Sequence, residues 1–271
     1  MNPALAAGAA LGAAICFGIA AAGQHRVAAE VPTRTALDPR LLTSLLHKSA
    51  WWLTIGLESL AVLLQYLALR EGSVALVQSL LVLGLAVAVV LTRKGRLAPR
   101  ALWGLALTSV GVAALGILVR PDASTTPARL ALLPLGIAVV AAGLARRATG
   151  PLLGLLAGIV TGCGAVLLAE SAQLPLSRLL LHATPYAAVV AGLLAIQLGQ
   201  STMASARPAA PLAALTLAEP VTALLLAAVT LHQQLPTGVA VVLAALAAGV
   251  GVVLLHVGAP VGAPAEPTRP A

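Results

Sequence analysis

Two glutamates sit where an acid is hardest to place. Glu219 lies near the middle of the apolar run Pro211 to Leu231, PLAALTLAEPVTALLLAAVTL, and Glu58 near the middle of the run Ala50 to Leu69. An ionised carboxylate at the centre of a bilayer costs at least about 2 to 3 kcal/mol even on lenient insertion scales, so it faces a partner or a watery hollow rather than lipid. Two chemistries suit such a group: carrying a proton, or neutralising a cation. Pro220 follows Glu219 directly. Having no backbone N–H, it leaves the carbonyl of Thr216, four residues earlier, free for a neighbour, a water or a cation, and it predicts a kink in the helix. Thr216, Glu219 and Thr222 or Ala223 share one helical face.

Other polar residues fall in the same register. Thr54, Glu58 and Gln65 are spaced to form one stripe along a helix. Gln197, Gln200 and Ser201 gather near the end of another apolar run, and Gln78 stands alone in a third. Taken singly, an intramembrane Gln is more often interhelical glue than a ligand group. Together these residues predict a binding surface. Glu170 and Arg178 read as interfacial, His25 and His47 as solvated loop residues, and Cys16 and Cys163 as small core residues with neither disulfide nor metal spacing.

The elements that must hold these residues are membrane helices. Of 271 residues, 60% are hydrophobic and 9% charged, and the mean hydropathy is +1.01, which leaves too little polar surface to cover a soluble domain. The net charge of +8 comes from arginines and lysines placed between apolar runs, where they set topology rather than bind nucleic acid. Runs near the roughly 20 residues needed to span are Pro3 to Gly23, Ala50 to Leu69, Ser73 to Thr92, Ala101 to Val119, Pro151 to Ala169, Pro185 to Ala204, Pro211 to Leu231 and Gly238 to Val257. Leu130 to Ala145, short but flanked by Arg129 and Arg146-Arg147, makes a ninth. The first run has no Lys or Arg before it, which argues against a cleaved signal peptide. Leu41 to Leu46 predicts a short interfacial helix, and the Pro- and Gly-rich tail 258–271 has nothing to bury.

The chain also repeats itself. A shift of 138 residues lays Ala75 on Ala213, Gln78 on Thr216, Thr92 on Thr230 and Gly111 on Gly249, and a shift of 146 lays Gly12 and Gly18 on Gly158 and Gly164. The plan is an all-α membrane protein of two four-helix repeats, residues 3–120 and 151–257, joined by a linker helix over 129–147. A single crossing between even units inverts the second copy, which is how secondary transporters are built. The loops after helices one, three, five and seven hold four, four, two and one Lys or Arg, and the tail one more, twelve in all against four in the opposite loops. By the positive-inside rule the C-terminus is cytoplasmic and the N-terminus outside.

The segments LHKSAWWLTIGLESLAVLLQYLALREGSVALVQSLLVLGL, Leu46 to Leu85, and QLGQSTMASARPAAPLAALTLAEPVTALLL, Gln197 to Leu226, resemble the drug/metabolite transporter superfamily (EamA-like). Within it they look like a nine-helix branch similar to NIPA-type magnesium transporters. Ser79 departs from the pattern, standing where a proline after the glutamine is often found. The resemblance implies a central cavity between inverted halves, lined by Glu58, Gln65, Gln78, Gln197, Gln200, Thr216 and Glu219.

The expectation is therefore an integral membrane secondary transporter of a small molecule, not an enzyme, with no cofactor, in the cell membrane. Its partners would be the bilayer and a small-molecule or cation substrate, and a homodimer is compatible with the plan. The narrower alternative is a carrier of Mg2+ or another divalent cation on Glu58 and Glu219, since a partly hydrated Mg2+ is held by one or two carboxylates. A third reading is a scaffold or sensor subunit that transports nothing. An enzyme acting on lipid lacks support, because no HExxH or GxSxG motif appears.

Overall fold

The structure is a computed structural model that describes residues 2–28, 39–92, 99–118, 132–203 and 209–231, together with Leu243, Ala244, Leu246, Ala247, Gly249, Val250, Gly251 and Leu254. It is all-helical over the described residues. The α-helices are α1 (Pro3–Ala28), α2 (Pro39–Leu46), α3 (Ser49–Glu71), α4 (Val74–Leu81), α5 (Leu83–Thr92), α6 (Pro99–Leu118), α7 (Leu133–Ala145), α8 (Gly150–Ala172), α9 (Ala183–Met203) and α10 (Ala209–Thr230), with a 3-10 helix at Leu176–Leu181. The Ala- and Leu-rich composition favours helix throughout, and a few local signals set the ends. Asn2 Oδ1 accepts from Leu5 N at the start of α1, and Ser73 Oγ from Leu76 N at the start of α4, each satisfying an orphan first-turn donor. Gly150 takes φ +57 in the turn entering α8, where a side chain would be strained.

Four helices among the described residues are long and apolar enough to cross a membrane: α1 over Ala4–Val27, α3, α8 and α9. Their outer faces agree with that reading. Leu53 is 78% exposed and Trp103 67%, and exposed Leu, Ile and Val recur along α1, α3, α7, α9 and α10. Water would not tolerate so wide an apolar surface, whereas lipid is its natural solvent. The protein is therefore a membrane protein with a helical core.

Inside, the core is built mostly from alanine, with leucine and valine and with glycines where helices meet closely. Small residues let backbones approach, which is how helices gain contact where lipid is as apolar as leucine. The closest approach is α8 on α10. A Cβ on Gly158 would lie 2.5 Å from the Leu215 carbonyl oxygen, and one on Gly162 2.6 Å from that of Glu219. Pairing in this order means that α8 and α10 run parallel. On the other side Gly18 of α1 meets Gly84 and Val87 of α5, and Arg26 Nη2 donates to the Leu91 carbonyl at 2.8 Å, so α1 and α5 are parallel too. Between α1 and α3 the order reverses: Gly23 meets Thr54, Gly12 meets Leu64, and Asn2 N donates to Glu71 Oε2 at 2.8 Å. Gln173 Nε2 reaches the Leu69 carbonyl at 3.1 Å, bringing the C-terminal ends of α8 and α3 together. It follows that α1 and α8 point in opposite directions.

Several expectations change. The first helix runs to Ala28 rather than Gly23, so Gln24, His25 and Arg26 are helical. After Pro3 at the helix start the next proline is Pro32, so none interrupts the run through Ala28. His25 is therefore no solvated loop residue: it is half-buried, with Nδ1 sealed from solvent and unpartnered. The expected single helix from Ser73 to Thr92 is interrupted at Val82, whose N–H is shared between the Gln78 and Leu80 carbonyls while its backbone stays right-handed. Glu170 is buried within the last turn of α8 rather than lying at an open interface. The run expected to be a linker helix forms α7, 13 residues, about 20 Å at 1.5 Å per residue, against a hydrocarbon core of about 30 Å. The tail 258–271 and most of the expected ninth helix lie outside the described residues; Gly251 packs on Gly104 and Thr108 of α6.

Candidate functional site

The polar residues of three helices meet in one hydrogen-bonded line. Gln200 Nε2, on α9, donates to Gln24 Oε1, on α1, at 2.9 Å, and Gln24 Nε2 in turn donates to Glu58 Oε2 on α3. Each amide uses its carbonyl to accept and its NH2 to donate, so the two glutamines pass a consistent direction along the line and end on the acid. Gln24 is 5% exposed and Gln200 2%, while Glu58 is half-buried. A charge-assisted bond to a carboxylate is among the stronger kinds, and in this apolar bundle it fixes where the acid points. The Gln200 carbonyl oxygen is left buried without a donor.

Local sequence explains how the line is placed. Gly23 allows Thr54 of α3 to touch the α1 backbone, which draws Gln24 onto the α3 face carrying Glu58 one turn further along. Thr54 spends its hydroxyl on the Trp51 carbonyl at 2.7 Å, so it packs rather than binds. Gln65, further along the same stripe, is buried.

Glu219 occupies a different seam. Its backbone packs on Gly158 and Gly162 of α8, its side chain is half-buried, and it makes no hydrogen bond among the described residues. Thr216 donates its hydroxyl to the Leu212 carbonyl at 2.8 Å, one turn back in its own helix, and α10 continues as helix through Pro220. Gln78 lies on α4, which packs against α10; it is 2% exposed and its Nε2 has no acceptor. Gln197 sits one turn before Ser201, whose hydroxyl donates to the Gln197 carbonyl at 2.8 Å. The predicted residues thus form two groups, Glu58 with Gln200, and Gln78, Thr216 and Glu219 along α4 and α10. No hydrogen bond joins the groups among the described residues.

Sequence reasoning missed Gln24, the residue that links Glu58 to Gln200. Ending the first helix at Gly23 put it in a loop. A signal was present, since the 146-residue shift that superposes the glycines of α1 and α8 lays Gln24 on Glu170, which is also buried. Among the described residues no three His, Cys, Asp or Glu side chains cluster as a metal site would require. Compared with family models, with curated proteins and with solved structures, the chain gives no match in any of the three.

Proposed function

We propose that the protein is a secondary transporter that moves a small molecule across the membrane, with Glu58 as its coupling acid. The observation that carries this is the line Gln200, Gln24, Glu58, a buried polar contact holding α9 against α1 and α3 inside an apolar bundle. Intramembrane acids of this kind are costly to keep and mark ion or substrate paths. Glu219 serves the second half in the same way.

The packing supports two inverted four-helix repeats. In the first half α1 lies on α3 and α5, in the second α8 lies on α9 and α10, and across the halves α3 with α8 answers α9 with α1. The opposed directions of α1 and α8 agree with an odd crossing between the copies. Nine crossings, the cytoplasmic C-terminus and the likeness to drug/metabolite transporters belong to this same proposal. Rocking the halves about the α4 and α10 seam would break and remake the line, exposing Glu58 to one side at a time.

The test is loss of gradient-driven export. Cells lacking the protein should accumulate a small molecule that the wild-type chain restores to normal and Glu58→Gln does not, while the variant is present in the membrane in equal amount. Equal rescue by Glu58→Gln removes the coupling role. A divalent-cation carrier is the second reading, favoured by the two half-buried carboxylates. Radiolabelled Mg2+ entering proteoliposomes no faster than protein-free vesicles would eliminate it.

A further inference from the structure

At the end of the bundle opposite the Gln24 line lies a second set of polar atoms that the proposed site does not use. Glu170, in the last turn of α8, is 6% exposed, and neither carboxyl oxygen makes a hydrogen bond among the described residues. Thr230, the last residue of α10, places its hydroxyl beside that carboxyl, also buried and also without a completed bond. The meeting follows from the parallel register: Gly162 sits against Glu219 and Thr222, so two turns on Glu170 comes level with 227–230. Tyr66 of α3 and Thr184 in the first turn of α9 bring two more buried hydroxyls, each unpartnered, to this end.

Buried polar groups are nearly always satisfied, so four elements converging with open valences at one end require an explanation. An ionised carboxylate sealed there would carry its full desolvation penalty with no counter-charge. The titratable groups on the elements packed against α8 are Glu58, Tyr66, Arg70 and Glu71 on α3, Tyr186 on α9 after His182, and Glu219 about three turns away on α10. Of these, Tyr66, Arg70 and Glu71 belong to the same end of α3, and α4 and α7 carry none. No ion pair reaches Glu170 among the described residues. A divalent cation takes roughly six oxygens, and the carboxyl with Thr230 offers three. A proton needs one.

We propose that Glu170 and Thr230 form a proton-binding site: the carboxylate takes up one proton, becomes a neutral acid hydrogen-bonding toward the Thr230 hydroxyl, and returns that proton when this end opens. The Gln24 line, at the position related by the 146-residue shift, has a neutral amide where this end has an acid that becomes neutral on protonation. This deepens the transporter reading, on which its coupling role rests, by naming the proton as coupling ion.

The experiment is infrared difference spectroscopy of the whole chain in lipid. The carbonyl band of a protonated carboxyl should be present at neutral pH in the wild type and in the Glu58→Gln/Glu219→Gln double variant, and absent from Glu170→Gln. If Glu170→Gln fails to fold, Glu170→Asp replaces it, and the band should shift in frequency instead of vanishing. Absence of any Glu170-dependent band overturns the proposal, as does a band abolished by added Na+, which would mark a cation site. Proton-driven flux in proteoliposomes separates the two claims. Flux without the band sinks the proton site and leaves the transporter standing; the band without flux retains the proton site and removes the transporter.

Discussion

Gln24 and Glu58, 34 positions apart in sequence, are joined by a side-chain hydrogen bond inside the bundle, and the other end of the same amide is held by Gln200 on α9. One side chain therefore fastens three helices. Cutting it should expose both neighbours at once.

Gln24→Ala removes the donor to Glu58 and the acceptor for Gln200, leaving two polar groups unpaired in an apolar setting. Each orphaned group costs about 1 to 3 kcal/mol, so thermal melts in detergent should show a loss of at least that size. Adding Gln200→Ala to Gln24→Ala should cost less than the two single losses combined, because the pair shares one bond. Strict additivity would mean that the line does not exist in solution.

The glycines of α8 predict a sharp contrast with those of α7. Gly162→Val drives a branched side chain into the Glu219 carbonyl, and since backbone cannot swing aside, α8 and α10 must separate. Overpacking of this kind costs about 1 to 3 kcal/mol or prevents folding. A Cβ on Gly143, in the last turns of α7, meets nothing within 4 Å, so Gly143→Ala should be neutral or stabilising by about 0.5 to 1 kcal/mol through helix propensity. Comparing the yields of folded protein checks both.

Much of this architecture was legible because lipid imposes a simple pattern. Runs of about 20 apolar residues must be helices, and α3, α8 and α9 fall within a few residues of where hydropathy puts them. The polar faces carrying Glu58 on α3 and Gln200 on α9 were legible, but they are joined only through Gln24 of α1. What stayed hidden were residues at helix ends, Gln24, His25 and Glu170. There a polar side chain reads equally as loop or core, and only packing decides. Val82 was hidden for a related reason, since nothing in LLVLG announces a shared hydrogen bond.

Glu58→Gln tests charge without removing shape. The amide keeps a carbonyl oxygen to accept from Gln24, so the line and the fold should persist, with melting within about 1 kcal/mol of wild type. What disappears is the capacity to exchange a proton. Gradient-driven flux should fall to the level of empty vesicles, while Glu58→Leu should lose stability as well as flux. A charged-to-neutral change that leaves flux intact would place the coupling group elsewhere in the bundle.

The orientation of the two ends can be read with cysteine labelling. His47, exposed just before α3, lies at the end of the bundle where α1 finishes, and His182, exposed just before α9, at the end where α8 finishes. The contacts of Gly23 with Thr54 and of Gln173 with Leu69 set these two ends on opposite sides of the core. With Cys16 and Cys163 replaced by serine, His47→Cys and His182→Cys should react with a membrane-impermeant maleimide from opposite faces. With the proposed cytoplasmic C-terminus, the twelve-to-four distribution of basic residues predicts His47 on the cytoplasmic side, so intact cells should label the position-182 variant alone. Labelling of both positions from outside would break the antiparallel relation of α1 and α8, and with it the proposed inversion of the halves.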